Sequence, residues 1–267
     1  MLLPRVLSAI VMAFFFISAV FFLPQSAFLI SMAAVVVLAA WEWARLSGVK
    51  AQLQRVLFSA GVAVAILALY VIGMTKTILL VAPIVWLVGF LWVVNFPRPM
   101  GWQSSSIRLI FGVYILISTW AALAVLKSSP DFVVWILLLM GLIWGADSGA
   151  YFSGKAFGKR KLAPNVSPGK SWEGVIGGVV FTQIGMLLFS IVSGFSVKQA
   201  LTMALIALLT VFVSVLGDLS ESMFKRHESM KDSSNLIPGH GGVMDRVDSL
   251  TSAAPIFVLL LSMSEWL

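Results

Sequence analysis

Nine long apolar runs separated by polar segments are the feature that most restricts the fold of this chain. A helix needs about 20 apolar residues to cross the roughly 30 Å of hydrocarbon in a bilayer. The runs therefore predict an all-α, polytopic integral membrane bundle of about nine transmembrane helices. We place them at residues 5–23, 26–46, 56–74, 77–95, 107–126, 132–146, 174–193, 199–217 and 250–266.

The overall composition agrees with a single membrane domain over residues 1–267. Sixty per cent of the residues are hydrophobic and the mean hydropathy is +1.02, whereas about 45–50% apolar residues is usual in soluble domains. The chain has no cysteine, which excludes disulfides, thiolate catalysis and cysteine-bound zinc. Any metal must therefore be held by oxygen or histidine ligands.

The basic residues separate by side of the membrane when nine helices are assumed. Fifteen of the 18 lysines and arginines, Arg5 among them, flank the side that holds the amino terminus, and only Lys76, Lys127 and Lys198 flank the other. The positive-inside rule makes the basic side cytoplasmic. The net charge of +7 is then a topology signal and a partner for lipid phosphates, so we expect no nucleic acid partner.

Two longer polar segments, 147–173 and 218–249, both fall on the predicted cytoplasmic side. We expect function there. Residues 131–267 would form the catalytic part, and residues 1–130 would form a scaffold that could also make dimer contacts. The chain shows no convincing internal repeat, which argues against a transporter built on inverted repeats.

Acidic residues are concentrated in the same region, with eight of the 11 between positions 147 and 248. Helical spacing places four polar residues on one face at the end of the eighth helix: Asp218, Glu221, Ser222 and Lys225. Asp245 and Asp248 can likewise face one site from the start of the ninth helix. We predict that Asp218 and Asp245 hold a hard divalent cation with Asp248 near it. The alternative is a carboxylate–arginine network with Arg226 or Arg246.

The segment NLIPGHGG, residues 235–242, cannot be regular helix. Pro238 interrupts a helix, and its glycines permit positive φ angles and close backbone approach. Such a loop can offer amides to phosphate oxygens, although a plain reentrant turn explains the pattern equally well. His240 alone is more often a structural hydrogen-bonding residue than a ligand or base.

The other polar segment ends in SPGKSWEG, residues 167–174. It places Lys170 between Ser167 and Ser171 just before a helix that we expect to begin at Trp172 or Glu173, and helix amino termini favour phosphate. A basic loop that binds anionic lipid head groups is the competing interpretation.

Polar residues outside these two segments are interpreted as structural. We interpret Glu42 and Arg45 as an interfacial ion pair among belt tryptophans. Asp131 is expected to be an N-cap.

The segment SESMFKRHESMKDSSNLIPGHGGVMDRVD, from Ser220 to Asp248, resembles the signature of the phosphatidate cytidylyltransferase (CDP-diacylglycerol synthase) family. The upstream segment resembles the family's Asp-Ser-x-Ala-Tyr and Ser-Pro-x-Lys-x-x-Glu-Gly elements, with Ser171 where threonine is common. The resemblance implies a membrane enzyme that joins CTP and phosphatidate and depends on Mg²⁺. It also implies a homodimer and, besides Mg²⁺, a second cation that is monovalent, such as K⁺. We expect the protein in the bacterial cytoplasmic (inner) membrane, with the active site on the cytoplasmic side that the basic residues indicate.

On this basis we assign roles to the polar residues. The catalytic set is Lys225, Arg226, His240, Asp245, Arg246 and Asp248. The substrate-binding set is Asp147, Ser167, Lys170, Ser171, Ser222, Lys231, Asp232, Gly241 and Gly242, and the metal ligands are Asp218, Asp245 and Asp248. A cytidylyltransferase for a different lipid phosphate and a membrane transporter are the alternatives.

Overall fold

The computed structural model describes the backbone of residues 2–267 and the side chains of residue 8 and residues 10–267. This part of the chain contains nine α-helices, a short 3-10 helix and one β-hairpin. In chain order they are α1 (Leu2–Phe22), α2 (Gln25–Leu46), α3 (Gln52–Ile72), the 3-10 helix (Thr77–Val81), α4 (Ala82–Asn95), α5 (Ser105–Lys127), α6 (Phe132–Phe157), β1 (Lys161–Ala163), β2 (Ser167–Ser171), α7 (Trp172–Val192), α8 (Val197–His227) and α9 (Met244–Met263).

The predicted all-α polytopic fold is confirmed. Eight helical segments, α2 to α9 with the 3-10 helix joined to α4, are long and apolar enough to cross a membrane, and the apolar part described in α1 is Ile10–Phe22. The side chain of Arg5, which belongs to the predicted cytoplasmic set, lies outside the described residues. The protein is a multi-pass membrane protein.

Helices α6 and α8 are longer than their predicted spans of 132–146 and 199–217. Helix α6 continues through Asp147 to Phe157, and α8 continues through Asp218 to His227. The polar segments therefore contain long helical extensions. The helical spacing from Asp218 to Lys225 predicted the extension of α8, whereas the extension of α6 through Phe157 was not predicted. An apolar run marks only the length of a helix that crosses the hydrocarbon, and the helix itself can continue beyond it.

The chain between α6 and α7 folds into an antiparallel hairpin that the sequence did not predict. Strands β1 and β2 pair Lys161 with Ser171 and Ala163 with Ser167. The Glu173 carboxylate accepts hydrogen bonds from the backbone N–H groups of Lys159 and Arg160. These contacts hold the hairpin against the start of α7 and direct Lys170 toward α8.

The interior of the bundle is built around α5 and α9, which are the most buried of the spanning helices. Trp43 of α2, Phe111 of α5 and Phe224 of α8 pack against one another in tilted and edge-to-face arrangements, with ring centroids 5.2 to 6.1 Å apart. The indole N–H of Trp43 donates to the Arg108 carbonyl at 2.8 Å. Large apolar side chains on the outside of α3, α4 and α7 are exposed, as expected for surfaces that contact lipid.

Helices α6 and α7 approach closely because glycines line their contact. A Cβ at Gly178 would lie 2.6 Å from the Ala146 carbonyl oxygen, and one at Gly149 would lie 3.0 Å from the Gly177 carbonyl oxygen. Small residues allow this approach in membrane helices, where association depends on van der Waals packing. The crossing fixes the part of α6 that carries Asp147.

We expect Gly178→Ala to lower the stability of the protein by about 1–3 kcal/mol, because the added methyl group overpacks this crossing. Thermal unfolding in detergent would measure the loss. Gly185→Ala in the same helix is the matched control, since a Cβ at Gly185 would have no neighbour within 4 Å. Equal melting temperatures for the two variants would contradict the close crossing.

Candidate active site

The acidic residues of α8 and α9 meet where the two helices cross. A Cβ at Gly217 would lie 2.6 Å from the Asp248 carbonyl oxygen, so only glycine fits between the helices at this point. Ser252 donates to the Val213 carbonyl at 2.7 Å one turn away. The crossing therefore places Asp218, the next residue of α8, beside Asp248 of α9.

Lys225 lies between two buried carboxylates. Its ammonium is 2.7 Å from Asp245 Oδ1 and also contacts Glu221. The side chains of Glu221 and Asp245 are only 1% and 4% exposed. The contact with Glu221, one turn earlier in α8, confirms that these residues share a helix face, and the contact with Asp245 joins α8 to α9.

The second oxygen of Asp245 organises the chain before α9. Asp245 Oδ2 accepts hydrogen bonds from Ser233 N at 2.8 Å, Ser233 Oγ at 2.7 Å and Gly242 N at 2.7 Å. With Lys225, four donor groups converge on one carboxylate. Asp245 thus links α8, α9 and the segment between them.

A second, more exposed cluster forms around Asp218. Lys170 from the hairpin lies 2.5 Å from Asp218 Oδ2, and Ser222 donates to Asp218 Oδ1 at 3.3 Å. The side chains of Lys170 and Asp218 are each 28% exposed. Asp147 and Asp248 both interact electrostatically with Asp218 and Lys170. Residues from α6, α8, α9 and the hairpin therefore meet at one accessible place.

The cation partners differ from those of the arginine network considered above. Asp218 pairs with Lys170 and Asp245 pairs with Lys225. Arg226 is exposed, and its Nε donates to the Val166 carbonyl of the hairpin at 3.2 Å. The carboxylate–arginine alternative for Asp218 and Asp245 is therefore wrong in its choice of cation.

The glycine-rich segment forms a turn, as predicted. Ile237 and Gly241 form an isolated antiparallel bridge, and Gly239 and Gly241 have φ angles of 76° and 80°. A Cβ at Gly242 would lie 2.5 Å from both Glu42 carboxylate oxygens. The amide of Gly242 donates to Asp245 and so joins the turn to the first turn of α9.

The remaining predicted site residues have varied surroundings. His240 Nδ1 lies 2.6 Å from Ser8 Oγ, so α1 reaches the glycine-rich turn.

Ser171 is buried and caps α7, because its hydroxyl accepts from Gly174 N at 3.1 Å. Helix α7 begins at Trp172, as predicted. Ser167 is the first residue of β2. Three predicted residues are solvent-exposed: Lys231, Asp232 and Arg246.

Glu42 contacts the segment that leads into α9, which the sequence did not predict. It does not form the predicted interfacial pair, because its side chain is fully buried and contacts the segment before α9. Arg45 instead donates to the Ser233 carbonyl at 3.2 Å. The signal was present, since Glu42 is the only acidic residue before position 131 and carboxylates within membrane helices are usually functional.

Asp131 occupies the N-cap position of α6 as expected. Its side chain makes no capping hydrogen bond there. It is exposed to solvent.

The carboxylate ligands that the site offers can be compared with the coordination that a magnesium ion requires. Among the described residues, no three carboxylate or histidine side chains lie close enough to hold a metal by themselves. Magnesium commonly takes one or two protein carboxylates and completes its shell with water and substrate phosphates. Asp218 contacts Lys170 and Ser222, and Asp248 Oδ1 accepts from Ser249 N, whereas the Asp245 oxygens accept from four donor groups. Asp218 and Asp248 are therefore the less saturated pair. The residues therefore fit a magnesium ion that is bound together with phosphate.

Comparisons with known proteins cover the whole chain. Residues 3–264 match the sequence model of the Cytidylyltransferase family. A phosphatidate cytidylyltransferase of Pseudomonas aeruginosa is 47% identical over 100% of this chain and 99% of its own length. Its namesake in Haemophilus influenzae is 40% identical over 96% of this chain and 97% of its own. The Bacillus subtilis protein of the same name is 45% identical over 46% of this chain and 45% of its own.

Replacement of Lys225 by methionine should destabilise the protein by about 3–5 kcal/mol, because two buried carboxylates would lose their cation. Chemical unfolding in detergent would measure this change. Lys161→Met removes an exposed cation from β1 and should leave stability unchanged. Adding Glu221→Gln to Lys225→Met should restore part of the loss, and strictly additive effects of the two substitutions would contradict the proposed buried ion cluster.

Proposed function

The chain belongs to the cytidylyltransferase family and is a nucleotidyltransferase, and we propose that it transfers CMP from CTP to phosphatidate, which yields CDP-diacylglycerol and pyrophosphate. The observation that carries this proposal is the accessible cluster around Lys170 and Asp218. It combines a cation and several carboxylates at the polar ends of membrane helices. A water-soluble nucleotide and a lipid head group could both reach such a place.

The reaction requires an in-line displacement at phosphorus. A phosphate oxygen of phosphatidate attacks the α-phosphorus of CTP, the bond to the bridging oxygen of the β-phosphate breaks, and pyrophosphate leaves with the electron pair. Since the attacking oxygen is already ionised near neutral pH, no covalent enzyme intermediate is needed. Catalysis then rests on positioning and charge neutralisation.

The residues of the site can divide these tasks. Lys170 and the exposed cations Arg226, Lys231 and Arg246 would neutralise the triphosphate and the lipid phosphate. Lys225 and Asp245, which are largely buried, would hold α8 and α9 in register beneath them. Asp147, Ser222, Asp232 and the glycine-rich turn with His240 would line the bound phosphates.

We propose that Mg²⁺ acts with CTP and that Asp218 and Asp248 would hold it, while Asp245, one turn before Asp248 in α9, stays paired with Lys225. The bound ion would supply charge neutralisation at the attacking and leaving oxygens. The same proposal includes a homodimer and a second cation besides Mg²⁺, a monovalent ion such as K⁺, because the family resemblance implies both.

An apolar groove next to the polar cluster could accept the acyl chains of phosphatidate. It has a volume of about 380 Å³ and is lined by side chains of α4, the hairpin, α7 and α8, including Phe90, Trp172 and Phe212, and by Phe96 just after α4. Its wall contains Val166, whose carbonyl accepts the hydrogen bond from Arg226. Such a groove would surround the acyl chains with apolar side chains while the head group faces the cations.

Purified protein given labelled CTP, Mg²⁺ and phosphatidate should form a lipid-linked CMP product and pyrophosphate in equal amounts. Thin-layer chromatography of the lipid phase and a pyrophosphate assay would measure both. Parallel reactions with a polyprenyl phosphate would identify a different acceptor. If no lipid phosphate gives product, the proposed activity is refuted.

Asp218→Asn should lower turnover by roughly 10²–10³-fold, the usual effect of removing one preorganised electrostatic group. The protein should stay folded because Asp218 is partly exposed. Asp131→Asn makes the same chemical change at a remote exposed position and should keep full turnover. Equal activity of the two variants would remove Asp218 from the site.

We further propose that the site faces the cytoplasm of a bacterial cell, within the inner membrane. The natural chain has no cysteine, so a single introduced cysteine reports its own position. Lys159→Cys should be shielded from a membrane-impermeant maleimide in intact spheroplasts, and Lys198→Cys should be labelled. Both residues are exposed in the fold, and the reversed labelling pattern would overturn the orientation.

A further inference from the structure

Glu42 lies near the carboxyl end of α2 and has no exposed surface. Four donor groups of residues 233–244 lie within hydrogen-bonding distance of its carboxylate. Oε1 accepts from Ser234 Oγ at 2.5 Å and from Val243 N at 3.0 Å. Oε2 accepts from Met244 N at 2.6 Å and lies 3.0 Å from Ser233 Oγ, whose one hydroxyl proton is shared between Glu42 and Asp245. A side chain from the amino-terminal part of the chain therefore holds the segment that leads into α9.

Two of these donors are the backbone amides at the start of α9. The first N–H groups of a helix have no partner within the helix, and Val243, the N-cap residue of α9, has no side chain that could accept from them. Glu42 accepts from Val243 and Met244 instead. A negative charge at this position is also favourable for the helix dipole. Glu42 thus caps α9 from another helix.

The helix that Glu42 caps carries the acidic residues of the site in its first turns. Asp245 follows Met244 directly, and Asp248 lies one turn later. Ser233 lies between the two carboxylates, with its Oγ 3.0 Å from Glu42 Oε2 and 2.7 Å from Asp245 Oδ2. Any shift of Glu42 would therefore reach Asp245 through Ser233 and through the backbone of α9.

We propose that Glu42 is a positioning residue for cytidylyl transfer. It holds the first residues of α9 in place and thereby determines the positions of Asp245 and Asp248. This inference rests on the proposed function. Glu42 is buried beneath the site and acts through the residues it holds. The amino-terminal helices thereby contribute to turnover as well as to the scaffold.

The chemistry of the four contacts suggests informative substitutions. Glutamine keeps the size of the side chain, but its amide nitrogen would face two N–H or O–H donors and could accept from neither. Aspartate keeps the charge but is one methylene group shorter. Both variants should leave donors at the start of α9 unsatisfied, with the greater loss for glutamine.

We would measure kcat, KM for each substrate, and the melting temperature of the wild type, Glu42→Gln and Glu42→Asp. Glu42→Gln should lower kcat at least about tenfold in the folded fraction, since small displacements of reacting groups have effects of that size or more. The KM for CTP should change less than kcat. Glu265→Gln, the same change at an exposed residue near the carboxyl terminus, is the matched control and should match the wild type.

The outcomes separate this inference from the function on which it rests. A wild type that makes no product with any lipid phosphate refutes the proposed function. An active wild type with an unchanged kcat for folded Glu42→Gln refutes the positioning role, even if the variant melts at a lower temperature. If Glu42→Gln does not fold, Ser234→Ala removes one of the four donors, and an unchanged kcat in that variant also overturns the proposal.

Discussion

The contact of Lys225 with Glu221 and Asp245 is the interaction on which the polar end of this bundle depends. Buried charges away from water are tolerated only when they are paired and hydrogen-bonded. Lys225 of α8 pairs with Glu221 in its own helix and with Asp245 in the first turn of α9. Asp245, held by that lysine, then accepts from Ser233 and Gly242 and determines the path of the segment between the helices.

Around this buried pair lies a cluster with a different character. Lys170 and Asp218 are partly exposed and come from the hairpin and α8. The hairpin is held by Glu173 at the start of α7, and α7 packs on α6 through glycines. The Lys225 cluster is therefore buried, and the partly exposed Lys170 and Asp218 are residues that a phosphate-bearing substrate could reach.

Residues from both parts of the chain meet at the segment before α9. Glu42 of α2 holds its amides and hydroxyls, and Ser8 of α1 contacts His240. Arg108 of α5 pairs with Glu228, just beyond α8, at 2.6 Å. The amino-terminal helices therefore support the site physically, although only the carboxy-terminal part contains the signature motifs.

The sequence by itself determined the membrane class, the helical fold, the shared face of Glu221 and Lys225, the glycine-rich turn and the start of α7. These features depend on apolar length, helical period and local backbone conformation, which neighbouring residues specify. Only the tertiary structure decided the hairpin, the pairing of Asp218 with Lys170 and of Asp245 with Lys225, and the role of Glu42. Glu42 contacts residues 191 to 202 positions away in the chain, and no local pattern encodes such a partner because helix packing alone brings the two segments together.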